Sequence, residues 1–578
     1  MKNCIYALLC IAVILPVSLY GQTIVNVKSD DASGGNLNRA IAAAIASNTL
    51  STTVFQLEAA GYYLLTGPVT TPAGTTLTIT APDPGNTPAT ALPMIMALAG
   101  GGVTWLYNFD VFGDISLKNI WLMYASTTPA QLGQMALEID NDSTRNKNIA
   151  NFENVIFEYS SEGCVESRTT NLIASFKNCY FRNCIDQHLR YYGRALTWPF
   201  QTTTWHTDSV SFVNCTFANM GYGFMQESPE WSEHVWFNHC TFLNIMMFPI
   251  ESSYWDWLNL NNSLFVNAFM YGDIRSGRGA VTSFPNGGAL NIDTLKTTGF
   301  NFNFTESQRH ILFTHCAYYL EDWLTSYIAN NPFSLDPATT DDLRPFPQPM
   351  VSTKTMSFFN DKTKWPYMST INSTLIDSVN PGFLFAPTNE DAIKTFLLGR
   401  WSTSTNIDWA YDITSDLNGT WPMNEDLSYS NSQLKTAGMG GFPLGDLYHW
   451  WPTQYTAWKA QEQAENDTIY KWLSEGINGG ITGVKEQSII PAHYELNQNY
   501  PNPFNPTTNI SFALPEKSFV SLKVFNILGE EITELAGKEY SAGQHTIRFD
   551  ATNIASGVYF YTIKAGKFTS TQKMVFQK

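Results

Sequence analysis

Residues 175–184 read SFKNCYFRNC, residues 211–220 read SFVNCTFANM, and residues 236–245 read WFNHCTFLNI. The phrase returns in weaker form as LKNIWL (117–122), FENVIF (152–157), LNNSLF (260–265) and FTHCAY (313–318). The Asn or His two places after its opening Phe or Leu falls at Asn119, Asn154, Asn178, Asn214, His239, Asn262 and His315, in steps of 35, 24, 36, 25, 23 and 53 residues. Self-similarity at such a period marks stacked supersecondary units. The short steps are one turn of the stack. The long ones are a turn plus an inserted loop, or two turns for the last.

Each phrase alternates Phe or β-branched residues with polar ones, and no helical period fits, so the unit is a strand. The Asn or His stands where the strand bends, because Asn tolerates left-handed backbone and hydrogen-bonds locally. Units stacked about 4.8 Å apart let these side chains hydrogen-bond along the stack. The next residue points inward: Ile120, Val155, Cys179, Cys215, Cys240, Ser263 and Cys316. A position shared by Cys, Ser, Ile and Val reads as a buried column in which thiols serve as small hydrophobes. No CxxC pair with a matching His pair is present, which argues against zinc.

This pattern resembles the right-handed parallel β-helix proteins, the architecture of the pectate lyases and their relatives, over roughly residues 40–400. The handedness is what the resemblance implies. GNLNRAIAAAIAS (35–47) reads as an amphipathic helix covering the open N-terminal end of the stack, and YYLLTGPVTTPAGTTLTI (62–79) as the first coils.

A second set of segments aligns after the phrases: CVES (164–167), HLRY (188–191), FMQE (224–227), PIES (249–252) and DIRS (273–276). With the apolar second letters Val165, Leu189, Met225, Ile250 and Ile274 pointing in, Glu166, Arg190, Gln226, Glu251 and Arg275 point out. A parallel row holds Cys164, His188, Phe224, Pro249 and Asp273. In the β-helix lyases one such face carries carboxylates that hold Ca2+ and an Arg or Lys that removes the proton α to a uronate carboxylate. The resemblance thus implies His188, Arg190 and Arg275 as catalytic candidates. It also implies Glu227, Glu251 and Asp273 as ligands of a calcium ion, the one cofactor it suggests. Glu166 and Glu251 form an alternative glycosidase pair whose role turns on their separation. Glu166, Gln226 and five tryptophans set among polar residues, Trp198, Trp205, Trp231, Trp255 and Trp257, are candidates for binding sugar. The same charged row also reads as an outer sheet face laced by ion pairs.

The chain has 578 residues, a net charge of −17, 44% hydrophobic and only 14% charged residues, which fits folded domains and excludes a disordered chain. The acidic balance argues against nucleic acid as a partner. Residues 1–21, with Lys2, the apolar run CIYALLCIAVILPV (4–17) and a small-residue end, read as a signal peptide; no later stretch is long and apolar enough to span a membrane. From about residue 340 the repeat fades, and YTAWKAQEQAENDTIYKWLSEG (455–476) has helical spacing, followed by the stop INGGITG (477–483).

Beyond it the strands FVSLKVFN (519–526), HTIRFDA (545–551), GVYFYTIKAG (557–566) and TQKMVFQK (571–578) predict a small sandwich of about seven strands. With NYPNPFNPTT (499–508), these residues resemble the type IX secretion system C-terminal sorting domain, type A. That resemblance implies passage through the outer membrane after Sec-type export, with 491–578 as the part that engages the machinery.

The expected fold is therefore all-β: a right-handed parallel β-helix followed by a small Ig-like β-sandwich. The expected divisions are a signal peptide (1–21), the β-helix with its N-terminal cap helix (22–440), a helical tail and linker (441–490) and the sorting domain (491–578). The expected protein is secreted or held at the outer cell surface and binds polysaccharide. The alternatives are a polysaccharide lyase or glycoside hydrolase acting on an acidic glycan, and a structural or adhesion protein.

Overall fold

The computed structural model describes residues 21–577 apart from 86–87, 99–104, 127–134, 186–192, 199–206, 227–230, 253, 271–272, 275–287, 297–301, 325–344, 347–348, 387–390, 392, 395–396, 398–420, 478–493, 497, 500–501 and 541–542. The expected signal peptide lies outside the described residues but for Gly21. The chain divides into two compact units, one up to Asn478 and one from Gly479.

The first unit is built on two parallel sheets, one of 15 strands and one of seven. From Tyr107 to Ala268 the chain visits them in strict alternation. Tyr107–Val111, Met135–Asp140, Gly163–Arg168, Arg194–Thr197, Tyr222–Gln226 and Ile250–Ser252 lie in the short sheet. Asp114–Ser126, Asn148–Glu158, the pair Leu172–Lys177 and Tyr180–Cys184, Thr207–Met220, Ser232–Ile245 and Trp255–Ala268 lie in the long one. Each coil thus gives one strand to each sheet and the next coil stacks on it in parallel register. That is a parallel β-helix.

The repeated phrase does what its chemistry predicts. All seven of its Asn and His corners have left-handed φ between 49° and 58°. The seven residues that follow them are buried, with at most 1% of their surface exposed. Phe152, Phe176, Phe212 and Phe237 stack face to face at 4.7–4.8 Å, and Phe157, Phe181, Phe217, Phe242 and Phe265 form a second pile at 4.6–5.0 Å. Both piles repeat at the strand spacing, so a single aromatic register carries the core from coil to coil.

The hydrogen-bonded ladder, however, runs mainly along a different column. Five residues beyond the phrase's Asn or His lie Tyr159, Asn183, Asn219, Asn244 and Asn267, again left-handed. Asn219 Nδ2 donates to Asn183 Oδ1, Asn244 to Asn219, and Asn267 to Asn244, each at 3.0 Å. In the first column only Asn154 donates directly to its neighbour, to Asn119 Oδ1 at 2.9 Å. Asn178, Asn214, His239 and Asn262 meet a C-terminal strap instead.

That strap begins before α3 (Leu447–Trp450) and continues through α4 (Pro452–Lys459) and α5 (Glu462–Glu475). Two earlier helices, α1 (Asn36–Ala46) and α2 (Thr353–Asn360), complete the unit. α1 buries Leu37, Ile41 and Ala44 against the first strands of the stack. The strap crosses the outer face of the long sheet. Asn178 donates to Tyr455 Oη at 3.1 Å, Thr216 Oγ1 to Asp446 Oδ2 at 2.7 Å, and Asp446 N to Thr241 Oγ1 at 2.9 Å.

In the second unit, Glu495–Leu496, Thr507–Leu514 and Gly543–Asp550 form one antiparallel sheet. Ser518–Phe525, Glu531–Tyr540, Gly557–Ala565 and Phe568–Phe576 form the other. Ile510, Phe512, Val520, Leu522, Tyr561, Ile563 and Met574 fill the space between them and are fully buried. The NYPNPFNPTT stretch is tied in by Asn499, whose N–H donates to Tyr561 Oη at 2.6 Å, and by Phe504, which packs on Phe576. Among the described residues no helix is long and apolar enough to cross a membrane.

Candidate functional site

The short sheet carries one outward residue per strand in unbroken register: Thr70, Asp110, Glu138, Glu166, Thr197, Met225 and Glu251. Its inward counterparts, Phe109, Leu137, Val165, Leu196, Phe224 and Ile250, are core residues. The alternation that buries the second set aims the first away from the core. Asp140 and Arg168 are in register with each other and stand two residues beyond Glu138 and Glu166, on the same side.

Four carboxyl groups and one guanidinium therefore meet on three neighbouring strands. Arg168 Nε donates to Glu166 Oε1 at 2.8 Å, and its Nη1 lies 3.1 Å from Glu138 Oε1. Glu138 Oε2 is buried and receives no hydrogen bond. Asp110 accepts from Thr70 Oγ1 at 3.4 Å through Oδ2, its Oδ1 is buried and receives no hydrogen bond, and a carboxylate oxygen of Asp140 lies within 4.8 Å of one of its oxygens. Only 6% of Asp110, 2% of Glu138 and 2% of Glu166 is exposed.

Loss of water raises all three carboxyl pKa values. Asp110 is pushed up to about 6 by burial and then by the negative charge of Asp140. Glu138 is pushed up to about 8 by burial, with Asp140, Glu166 and Asp110 adding to it and Arg168 opposing. Glu166 rises by burial and is held back by Arg168. Burial thus disfavours the ionised form of Glu138 more than that of Glu166, while Arg168 touches both.

Oxygen atoms of Asp110, Glu138 and Asp140 all lie within 4.8 Å of one another. Three carboxyl groups, two of them with a buried unpartnered oxygen, fit the all-oxygen ligand set of a hard cation such as calcium.

The structure redistributes the residues expected from the sequence. Glu166 and Glu251 are on the outward row, but three strand spacings apart, about 14 Å. Glycosidase pairs stand roughly 5–9.5 Å apart, so these two do not form one. The FMQE segment is one residue out of phase with the expected alignment. Phe224, not Met225, faces the core, and Gln226 turns inward, fully buried, to accept from Ser232 Oγ. Trp198 and Trp255 pack on either side of Phe224 in the core, with 1% exposed, and offer no face to a sugar. Trp257 lies on the long sheet, stacked on His310 at 3.9 Å and facing Tyr470 of α5. Trp231 is half-buried against Phe302 and Phe304. Asp273 pairs with Phe346 in a separate two-stranded antiparallel sheet, off the row. His188, Arg190, Trp205, Glu227 and Arg275 lie outside the described residues; the coil expected to supply His188 and Arg190 gives Arg194–Thr197 to the short sheet.

Sequence reasoning missed Asp110, Glu138, Asp140 and Arg168. The signal was there: FDV, LEI and VES put an acid between two inward residues at 110, 138 and 166, with equal steps of 28. Neither of the first two segments follows the repeated phrase closely enough to have been aligned with it.

Residues 498–577 match the family described as the secretion system C-terminal sorting domain. No curated protein and no solved structure matches the chain. The second unit is therefore a type IX secretion sorting domain, and the parallel β-helix is its cargo. The protein is exported by the type IX route to the cell surface or beyond it.

Proposed function

We propose that the exported β-helix binds polysaccharide along the outer face of its short sheet, at Asp110, Glu138, Asp140, Glu166 and Arg168. One observation carries this reading: acidic groups on three adjacent strands are drawn out of water and against one another, at a cost to folding that Arg168 offsets in part and a ligand would offset further. Carboxylates accept hydrogen bonds from sugar hydroxyls, and a protonated Glu138 also donates one. A stack of coils suits a chain-like ligand lying along its axis. Calcium held by Asp110, Glu138 and Asp140 would neutralise the patch and offer further coordination positions to sugar oxygens.

Hydrolysis is the second reading, favoured by Glu138, whose proton burial holds more tightly, standing on the strand next to Glu166, the acid and carboxylate such chemistry uses. The test is the full chain on a panel of neutral and acidic glycans, with and without calcium, compared with Glu138→Gln and Glu166→Gln. Binding lost in both variants supports the site. Reducing ends released by the wild type alone support the second reading. Binding retained by both variants places recognition elsewhere.

A further inference from the structure

Two of the six described cysteines stand outside the inward thiol column. Cys164 lies on the short-sheet strand Gly163–Arg168, and Cys184 ends the long-sheet strand Tyr180–Cys184. Their Sγ atoms are 3.3 Å apart, and both residues are wholly buried. Each column thiol donates to a backbone carbonyl, Cys179 to Phe152 O at 3.5 Å, Cys215 to Phe176 O at 3.4 Å, Cys240 to Phe212 O at 3.5 Å and Cys316 to Thr314 O at 3.2 Å, as Cys184 also does to Arg182 O at 3.1 Å. Neighbours in that column, such as Cys179 and Cys215, sit on the same face of parallel strands, so their Cβ vectors run side by side. Cys164 and Cys184 come from opposite sheets, and their sulfur atoms converge within the core, as a disulfide needs.

We propose that Cys164 and Cys184 become a disulfide in the exported protein, fastening the two sheets of one coil together. Export carries the chain into compartments where disulfides form and persist. A thiolate of one cysteine attacks the disulfide of an exchange catalyst or small-molecule oxidant, and the second cysteine displaces the mixed disulfide. Two protons and two electrons leave the pair, and the oxidant departs as two thiols. Burial raises the Cys164 thiol well above its ordinary range, so the reaction belongs to the period when the coil is closing rather than to the finished core. The bond also lies two residues from Glu166, so it would fix one strand of the acidic patch.

The test is peptide mapping of full-length protein from a type IX-competent host, alkylated in denaturant before reduction. The expected result is one cross-linked pair containing Cys164 and Cys184, lighter by two hydrogens, with Cys179, Cys215, Cys240 and Cys316 alkylated. Cys164→Ser should leave Cys184 alkylated and lower the unfolding midpoint without changing the other four. Alkylation of both Cys164 and Cys184 in the wild type, or a bridge between any other pair, overturns the proposal. The wild-type map decides even where a variant fails to reach the medium.

Discussion

Glu465 on α5 reaches His239 at a left-handed corner of the coil, Oε1 to Nε2, at 3.3 Å. The same oxygen accepts from Asn238 at 2.9 Å, Asn262 at 3.2 Å and Trp458 at 3.1 Å. One carboxylate on the strap thus gathers donors from two successive coils. Glu465→Ala leaves those donors buried without an acceptor and should cost about 3 kcal/mol, read as a lower urea midpoint.

The same carboxyl gives a pH dependence at the acid end. Burial alone would raise its pKa, but His239 and the hydrogen bonds from His239, Asn238 and Trp458 outweigh this and hold it below the ordinary value. Its contribution is present above that ordinary value, 4.5, and is lost as pH falls further. Acid should therefore release the strap first, seen as protease sensitivity within residues 452–475 before the strands unfold.

Glu138 behaves in the opposite sense. Its folded pKa is raised to about 8, so its neutral form stabilises the fold fully below the unfolded value of 4.5 and the benefit fades as pH rises through 8. Glu138→Gln should raise stability at pH 8 by about 2 kcal/mol and leave it unchanged near pH 4. The same change should abolish glycan binding. A variant that binds as well as the wild type would separate the strained carboxyl from function.

Asn219 both donates to Asn183 and accepts from Asn244, and its φ is 57°. Asn219→Ala loses two buried hydrogen bonds and strains a left-handed position, a cost of about 3 kcal/mol. Asn219→Gly loses the bonds but relaxes the backbone and should cost about 2 kcal/mol. Equal midpoints for the two variants would show that the backbone term is negligible here.

Removal of residues 498–577 should leave the β-helix inside the outer membrane, measured by fractionation of cells and medium. The first unit has a core of its own, so the retained protein should still unfold cooperatively.

The stack was legible because its corners demand Asn or His and its interior demands Phe and small residues at fixed offsets, and Asn214–Cys215 repeats that demand visibly. The second asparagine column was less visible because Tyr159 occupies one of its places and Tyr124 stands at that position in the coil of Asn119. On the short sheet the letters vary freely wherever they face outward, so only the inward residues could set the phase. At Phe224–Met225 two apolar neighbours gave the alignment a choice, and the wrong one sent Gln226 outward. The tryptophans were ambiguous for a different reason: Trp198 and Trp255 stand among polar letters in sequence, while Phe224, which packs between them, comes from another coil.

The strap has a consequence for the order of events in folding. Its contacts join residues far apart in the chain, 203 positions for Glu465 with Asn262 and 285 for Glu462 with Lys177. Coils can pair with their neighbours as soon as each is complete, whereas Glu465 finds its partners only after two adjacent corners have adopted the correct offset. Closure of the strap is accordingly a late step that tests the alignment of the coils beneath it. A stack slipped by one residue would present the wrong side chains to Glu465 and would remain unfastened.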